Sequence, residues 1–293
     1  MASIEISEAE KTYVLHGVQE NLRVDGRTRE DLRPIQVETD LVTHTSGSSH
    51  LRLANTDILV GVKAELDVPL PDHPSEGRIV FSVDCSANAT PEFEGRGGEN
   101  LATEISRLLT HAYSHSKVFD LKQLNVLDGH QCWVLYVDIQ ILECGGNLFD
   151  AVSLAVKSAL FSTRIPKVKV TAVDGGEPEM ELSDDPFDGS RLQMDQTPVL
   201  ITLTRIGNHV VVDPTPEEEA CSSACLVMGV SSAGRITAVR KTGAGSFHLG
   251  TMRDAIKIGT RIGTDIDKAL MKILTKEEKL GFNREKFGFL KVK

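Results

Sequence analysis

The stretch Glu143-Cys144-Gly145-Gly146-Asn147-Leu148 joins an alternating apolar run to an apolar helix. A helix start after a glycine turn is a natural anion site, because free backbone N–H groups and the positive end of the helix dipole point outward there. A phosphate would also want a cation or a hydroxyl beside it. No Arg, Lys, Ser or Thr lies in this turn.

Other residues invite chemistry less directly. Arg107, His111 and His115 recur every four residues on one predicted helix, with Lys117 nearby, and Arg96 sits in the glycine-rich GRGGE run leading into it. Such cations can follow a phosphodiester backbone. The plainer reading is a solvated polar face, preferred for the two histidines and left open for Arg96 and Arg107. Around the Asp25-Gly26 turn, Asp25 is read as a turn cap, with Arg23 and Arg27 in ion pairs at a subunit contact. The acids Asp184, Asp185 and Asp188, and Glu217, Glu218 and Glu219, are read as solvated loops, not divalent-cation sites. Five cysteines, an odd number in apolar surroundings, suit reduced thiols of a cytosolic or nuclear protein. Cys221 and Cys225 lack the CxxC partner or nearby His of a zinc site, so no metal is expected, and no cofactor either.

These residues must be positioned by surrounding elements. The SEAE capping box at Ser7 predicts a helix over 8–19. Strands are predicted over 35–45, 48–54, 57–66 and 78–85, with a proline-containing loop over 67–77. Apolar spacing predicts an amphipathic helix over 98–118. Residues 132–142 alternate cleanly, which puts Trp133 in the core, and a helix over 147–163 is apolar on most sides and so buried between layers. KVKVTAV reads as a short strand before an acidic, Gly- and Pro-containing link. The second half repeats the order. Strands are expected over 198–206, 209–215, 220–231 and 235–243, with a turn preferred to a helix at Thr215-Pro216. A long helix over 248–275 and a basic tail over 282–293 follow. Strands followed by helix in each half indicate an α+β fold, not alternating βαβ, and suggest internal duplication. The halves are placed at 1–172 and 173–293.

Composition fits a soluble globular chain of 293 residues, 40% hydrophobic and 25% charged. A net charge of -10 argues against a protein that coats nucleic acid generally, while permitting RNA in a locally basic groove. The N-terminal MASIEISEAEK is acidic and lacks the apolar core of a secretory signal. One Trp and three Tyr offer no base-stacking platform.

The run LRVDGRTREDLRPI at 22–35 resembles the opening segment of the RNase PH family, and TDILVGVKAEL, GRGGENLATEISRLL and VLYVDIQILECGGNLFDAVSLAVKSAL match in the same order. LSDDPFDGSRL and VVVDPTPEEEACSSACLVMGV resemble its branch of eukaryotic RNA exosome ring subunits. The resemblance implies an RNase PH-like fold of two related α+β halves with mixed sheets, and a hexameric ring with a central pore. It also implies partners: other RNase PH-like ring subunits, RNA-binding cap subunits, associated exoribonucleases and single-stranded RNA, in nucleus, nucleolus and cytoplasm.

Active members degrade RNA from the 3′ end with inorganic phosphate as nucleophile. Their phosphate turn aligns with Gly146, Asn147 and Leu148, with leucine where an arginine would stand, and leucine cannot replace a bidentate contact. Their catalytic acid, two residues before a proline, aligns with Gln196; Asp195 beside it would point to the opposite face of a strand. The expectation is a non-catalytic ring subunit that threads RNA for processing and degradation, including rRNA maturation, with Arg96 and Arg107 as RNA-contact candidates. The alternative is a phosphorolytic exoribonuclease, or half of a composite site with a ring partner.

Overall fold

A computed structural model describes residues 6–115, 117–171, 179–182 and 188–280. Helix α1 (Glu8–Gln19) starts at the expected capping box: Ser7 Oγ accepts from the Glu10 N–H and the Glu10 carboxylate accepts from the Ser7 N–H. The first sheet holds β1 (Ile35–Thr39), β2 (Gly47–Leu53), β3 (Thr56–Asp67), β4 (Arg78–Cys85), β5 (Asn125–Leu127) and β6 (Gln131–Glu143). Its order is β1-β2-β3-β6-β4, with β5 also paired to β6. All pairs are antiparallel except β4 along β6. That parallel pair needs a long crossover, which α2 (Glu99–Tyr113) provides.

Two predicted elements end early for local reasons. Strand 35–45 stops at Thr39 because Asp40 turns to φ 55° and the next two N–H groups, Leu41 and Val42, donate to Ser48 Oγ instead of to a ladder. Helix 98–118 stops at Tyr113: Ser114 Oγ takes up the His111 carbonyl, and the N–H groups of Val118 and Phe119 both turn back to the His115 carbonyl.

Helix α3 (Leu148–Ser162) is buried along nearly its whole length, as its sequence predicts. Ser49 Oγ of β2 donates to the Ala155 carbonyl at 2.6 Å, and on another side the Leu200 N–H donates to Ser153 Oγ at 2.8 Å. α3 therefore lies between the first sheet and a second one. Short strands β7 (Arg164–Pro166), β8 (Val168–Thr171), β9 (Glu179–Leu182) and β10 (Gly189–Arg191) pair as β7 with β10 and β8 with β9. The second sheet contains β11 (Val199–Ile206), β12 (His209–Val212), β13 (Ala224–Val230) and β14 (Ile236–Thr242), antiparallel in the order β12-β11-β13-β14. Thr202 reaches α3, whereas Leu203, pointing to the opposite face, meets Gly259 of α5 (Leu249–Leu280). The layers are thus sheet, α3, sheet, α5, with Trp133 in the core. Beyond the start of β11, Lys157 Nζ donates to the Thr197 carbonyl and pairs with Asp267, tying α3 to α5 through a buried ion pair.

The turn expected at Thr215 is a helix, α4 (Pro216–Ala220). Thr215 and Glu218 form a reciprocal capping box and Pro216 fills the first turn, where a missing N–H costs nothing. Strand β13 consequently begins only at Ala224. The proposed boundary at 172/173, the acids Asp184 and Asp185 and the tail 282–293 lie outside the described residues. Among the described residues no helix is long and apolar enough to cross a membrane.

Candidate functional site

The turn before α3 is built on two left-handed residues. Gly146 has φ 83°, and a Cβ there would come within 3.0 Å of the Pro214 carbonyl oxygen and the Pro216 nitrogen. Asn147 has φ 53°, a conformation asparagine tolerates better than most side chains do. The turn is pressed onto the start of α4, and there the helix N-terminus meets an anion of its own chain. The Asn147 N–H donates to Glu219 Oε1 at 2.7 Å. Asn147 Nδ2 donates to Asp150 Oδ2 at 2.9 Å and to Asp213 Oδ1 at 2.8 Å, while Thr202 Oγ1 donates to Asp150 Oδ1 at 2.7 Å. The donors at the start of α3 are already taken up by carboxyl groups of the same chain.

Arginines complete the cluster. Arg33 grips Asp213 through Nε and Nη2 at 3.0 and 2.7 Å, and donates to the carbonyls of Gly145 and Gly146. Arg27 reaches the same carboxylate at 3.0 Å and binds Asp25 at 2.6 Å. Arg23 is buried, paired with Glu218 and donating to the carbonyls of Val212 and Asp213. Arg23 and Arg27 make their ion pairs within the chain, to Glu218, Asp25 and Asp213. Glu218 is a buried partner and Glu219 a helix cap, so neither is the solvated residue expected. Their distance in sequence, 195 positions from Arg23 to Glu218 and 72 from Asn147 to Glu219, left no local signal. Asp150, Asp213 and Arg33 were missed for the same reason.

Burial sets the protonation of the cluster. It pushes the Asp150 carboxyl up to about 7, only partly opposed by Asn147 and Thr202, and it also raises Glu219 against the Asn147 N–H. Burial acts on Asp213 too, but the Arg33 guanidinium and Asn147 outweigh it and hold that carboxyl below the usual range. An acid whose folded pKa is raised stabilises the fold below its unfolded pKa and loses that contribution as pH rises through the folded value. Stability should fall from about pH 4 to about 7, with a slope approaching ~1.4 kcal/mol per pH unit for Asp150 alone. His50 is buried, which opposes its charge, yet Asp57 and Glu38 raise its pKa, so it adds the same sign only above its ordinary 6.5. Urea unfolding of Asp150→Asn at pH 4.5–6.5 should show a flattened profile. A slope equal to that of the unmutated chain would remove Asp150 from this role.

The sequence-predicted residues do not converge on one point. Gln196 precedes Thr197, whose carbonyl meets Lys157 Nζ; from Asn147 to Lys157 is roughly 15 Å along α3. Gln196 Oε1 is buried without a partner among the described residues, and Asp195 is exposed. Leu148 lines a small cavity of about 40 Å³ with Phe93, Leu101, Cys144 and Glu219. A roomier cavity of about 470 Å³, near Arg29 and His209, shares no lining residue with this turn. Arg96, between Phe93 and Leu101 in sequence, is 91% exposed and 3.6 Å from Glu99. Arg107 lies further along α2, exposed, as are His111 and His115. Asp188 pairs with Lys167.

Two α+β halves packed on a shared buried helix, with a glycine turn at that helix's start, define the RNase PH class of fold. The chain belongs to the 3′ exoribonuclease (RNase PH) family: residues 31–166 match its domain 1 and residues 196–262 its domain 2. It is 36% identical to a Dictyostelium discoideum protein named as an RRP42 exosome complex exonuclease, over 92% of this chain and 98% of that one. It is 32% identical to the exosome complex component Rrp42 of Methanopyrus kandleri, over 90% and 97%. The solved Archaeoglobus fulgidus exosome with RNA bound to the active site contains a similar chain, with TM-score 0.77, 25% identity and coverage of 89% and 98%. An archaeal exosome core chain shares the fold, with TM-score 0.73 and coverage of 90% and 97%.

Proposed function

We propose that this chain is a catalytically silent ring subunit of an RNA exosome core, assembling with related subunits and conducting single-stranded RNA toward nucleases held elsewhere, including during rRNA maturation. One observation carries the silent part of the reading: the Asn147 N–H, the donor a phosphate would need, is occupied by the Glu219 carboxylate at 2.7 Å. A second anion there would compete with Glu219 for that N–H, and Leu148 offers no charge or donor of its own. Ring membership rests on relatives that carry exosome names over nearly their whole length. The same reading places the chain in nucleus, nucleolus and cytoplasm as a proposal, tested by imaging a tagged chain.

A half-site version has its own support. Arg96 is 91% exposed and held only by a long surface pair with Glu99, so it can be offered to RNA in a partner's active site. The purified chain, alone and with its closest ring partner, should be incubated with single-stranded RNA, magnesium and phosphate. No nucleoside diphosphate is expected from the chain alone. Product only with the partner, lost in Arg96→Glu, would establish the half-site. Product from the chain alone would overturn the silent reading.

A further inference from the structure

On α5, Lys257, Arg261, Lys268, Lys272 and Lys279 are separated by gaps of four, seven, four and seven. At 100° per residue all five fall within an arc of roughly 60°, and they extend over about 33 Å of helix. The arc lies diametrically opposite the seam of Ala255, Gly259, Ile262 and Ile266 that packs on the second sheet, and all five side chains are exposed. Arg261 pairs with Glu30, while Lys257, Lys268, Lys272 and Lys279 have no ion pair among the described residues.

The acids of the helix stand mostly aside. Asp254 falls on the same arc one turn before Lys257 and Asp265 lies about 20° outside it, while Glu278 pairs with Arg191 and Glu277 accepts from the Thr39 N–H. Five aligned cations in a chain of net charge -10 form a local field of opposite sign to the whole. From Lys257 on, the arc's one other side chain is Thr275, so it offers no apolar or aromatic anchor. Protein interfaces are built around such anchors and are depleted in lysine. A uniformly charged polymer requires none.

We propose that the outer face of α5 binds the phosphodiester backbone of single-stranded RNA, without sequence preference. The inference stands on the electrostatics of α5 and does not depend on ring membership or on the state of the α3 turn. The test is the affinity of the full chain for a fluorescent 20-nucleotide oligouridylate across a salt series. The quadruple variant K257E/K268E/K272E/K279E should bind at least tenfold more weakly at 100 mM salt. Its slope of log affinity on log salt should be smaller by about 3, at roughly 0.7 per phosphate contact. The double variant Arg96→Glu, Arg107→Glu should keep the greater part of the slope. A quadruple variant with the same thermal melt and unchanged affinity and slope would overturn the assignment. So would equal binding of duplex RNA, or loss of binding to polyglutamate with RNA binding intact, which would point to an acidic protein partner.

Discussion

Asp213→Ala should cost about 4 kcal/mol of stability or abolish folding, because it strips the carboxylate from two arginines at once. Asp213 is fully buried and accepts from the Arg33 guanidinium twice and its backbone N–H once, from Arg27 and from Asn147 Nδ2. Neither guanidinium can turn to water cheaply: Arg33 is itself buried and Arg27 is 12% exposed. Removing one member of such a cluster leaves charge uncompensated at low dielectric, at a typical cost of ~3–5 kcal/mol. Asp213 also sits at φ 49°, a left-handed conformation that alanine tolerates less well. Asp213→Asn keeps the conformation and one acceptor and should lose roughly half as much. Asp25→Ala removes the solvent-side partner of Arg27, 36% exposed, and should stay within about 1 kcal/mol. Urea unfolding of the three variants decides this. A loss under about 1 kcal/mol for Asp213→Ala would show that the cluster does not hold the two halves together.

That cluster marks where sequence reading runs out. Periodicity located β6, α3 and α5 because each has a strong apolar pattern set by its own burial. The buried helix between layers was legible because α3 has almost no polar face. Elements whose ends depend on side-chain bonds were read less well: Ser48 capturing two N–H groups shortens β1, and the Thr215–Glu218 box turns a loop into α4. At the site, the degenerate turn was visible because it concerns adjacent residues and what they lack. What fills the turn was not visible. Glu219 looks in sequence like one of three solvated glutamates and becomes a helix cap only because Gly146 brings α3 against Pro214 and Pro216. The resemblance put Leu148 where active relatives carry an arginine, and the fold adds the Glu219 carboxylate on the Asn147 N–H. The resemblance also paired Gln196 with the turn; in the fold its neighbour Thr197 is tied to Lys157, about two and a half turns into α3 from Leu148.

If Glu219 and not Leu148 is the main barrier, restoring the arginine alone will not restore phosphate binding. In Leu148→Arg, the new guanidinium would lie beside the Glu219 carboxylate, since both residues line the same small cavity. The two should pair within the chain, leaving no net positive charge for a ligand. In Glu219→Ala the Asn147 N–H is released, but Asp150 and Asp213 still face the turn, so phosphate affinity should remain too weak to measure below about 10 mM, on the order of 3 kcal/mol of binding. The double variant combines a free N–H with a guanidinium and should bind phosphate near 1 mM, about 4 kcal/mol. Phosphorus NMR line broadening of inorganic phosphate, with a thermal melt to confirm each fold, separates these cases. No nucleoside diphosphate should be released even by the double variant, because Gln196 supplies no acid. Phosphate binding by Leu148→Arg alone, equal to that of the double variant, would exonerate Glu219 and return the defect to the missing arginine. If the double variant binds while Leu148→Arg does not, the site is closed by its own carboxylate as well as stripped of its arginine, and two separate changes hold it silent.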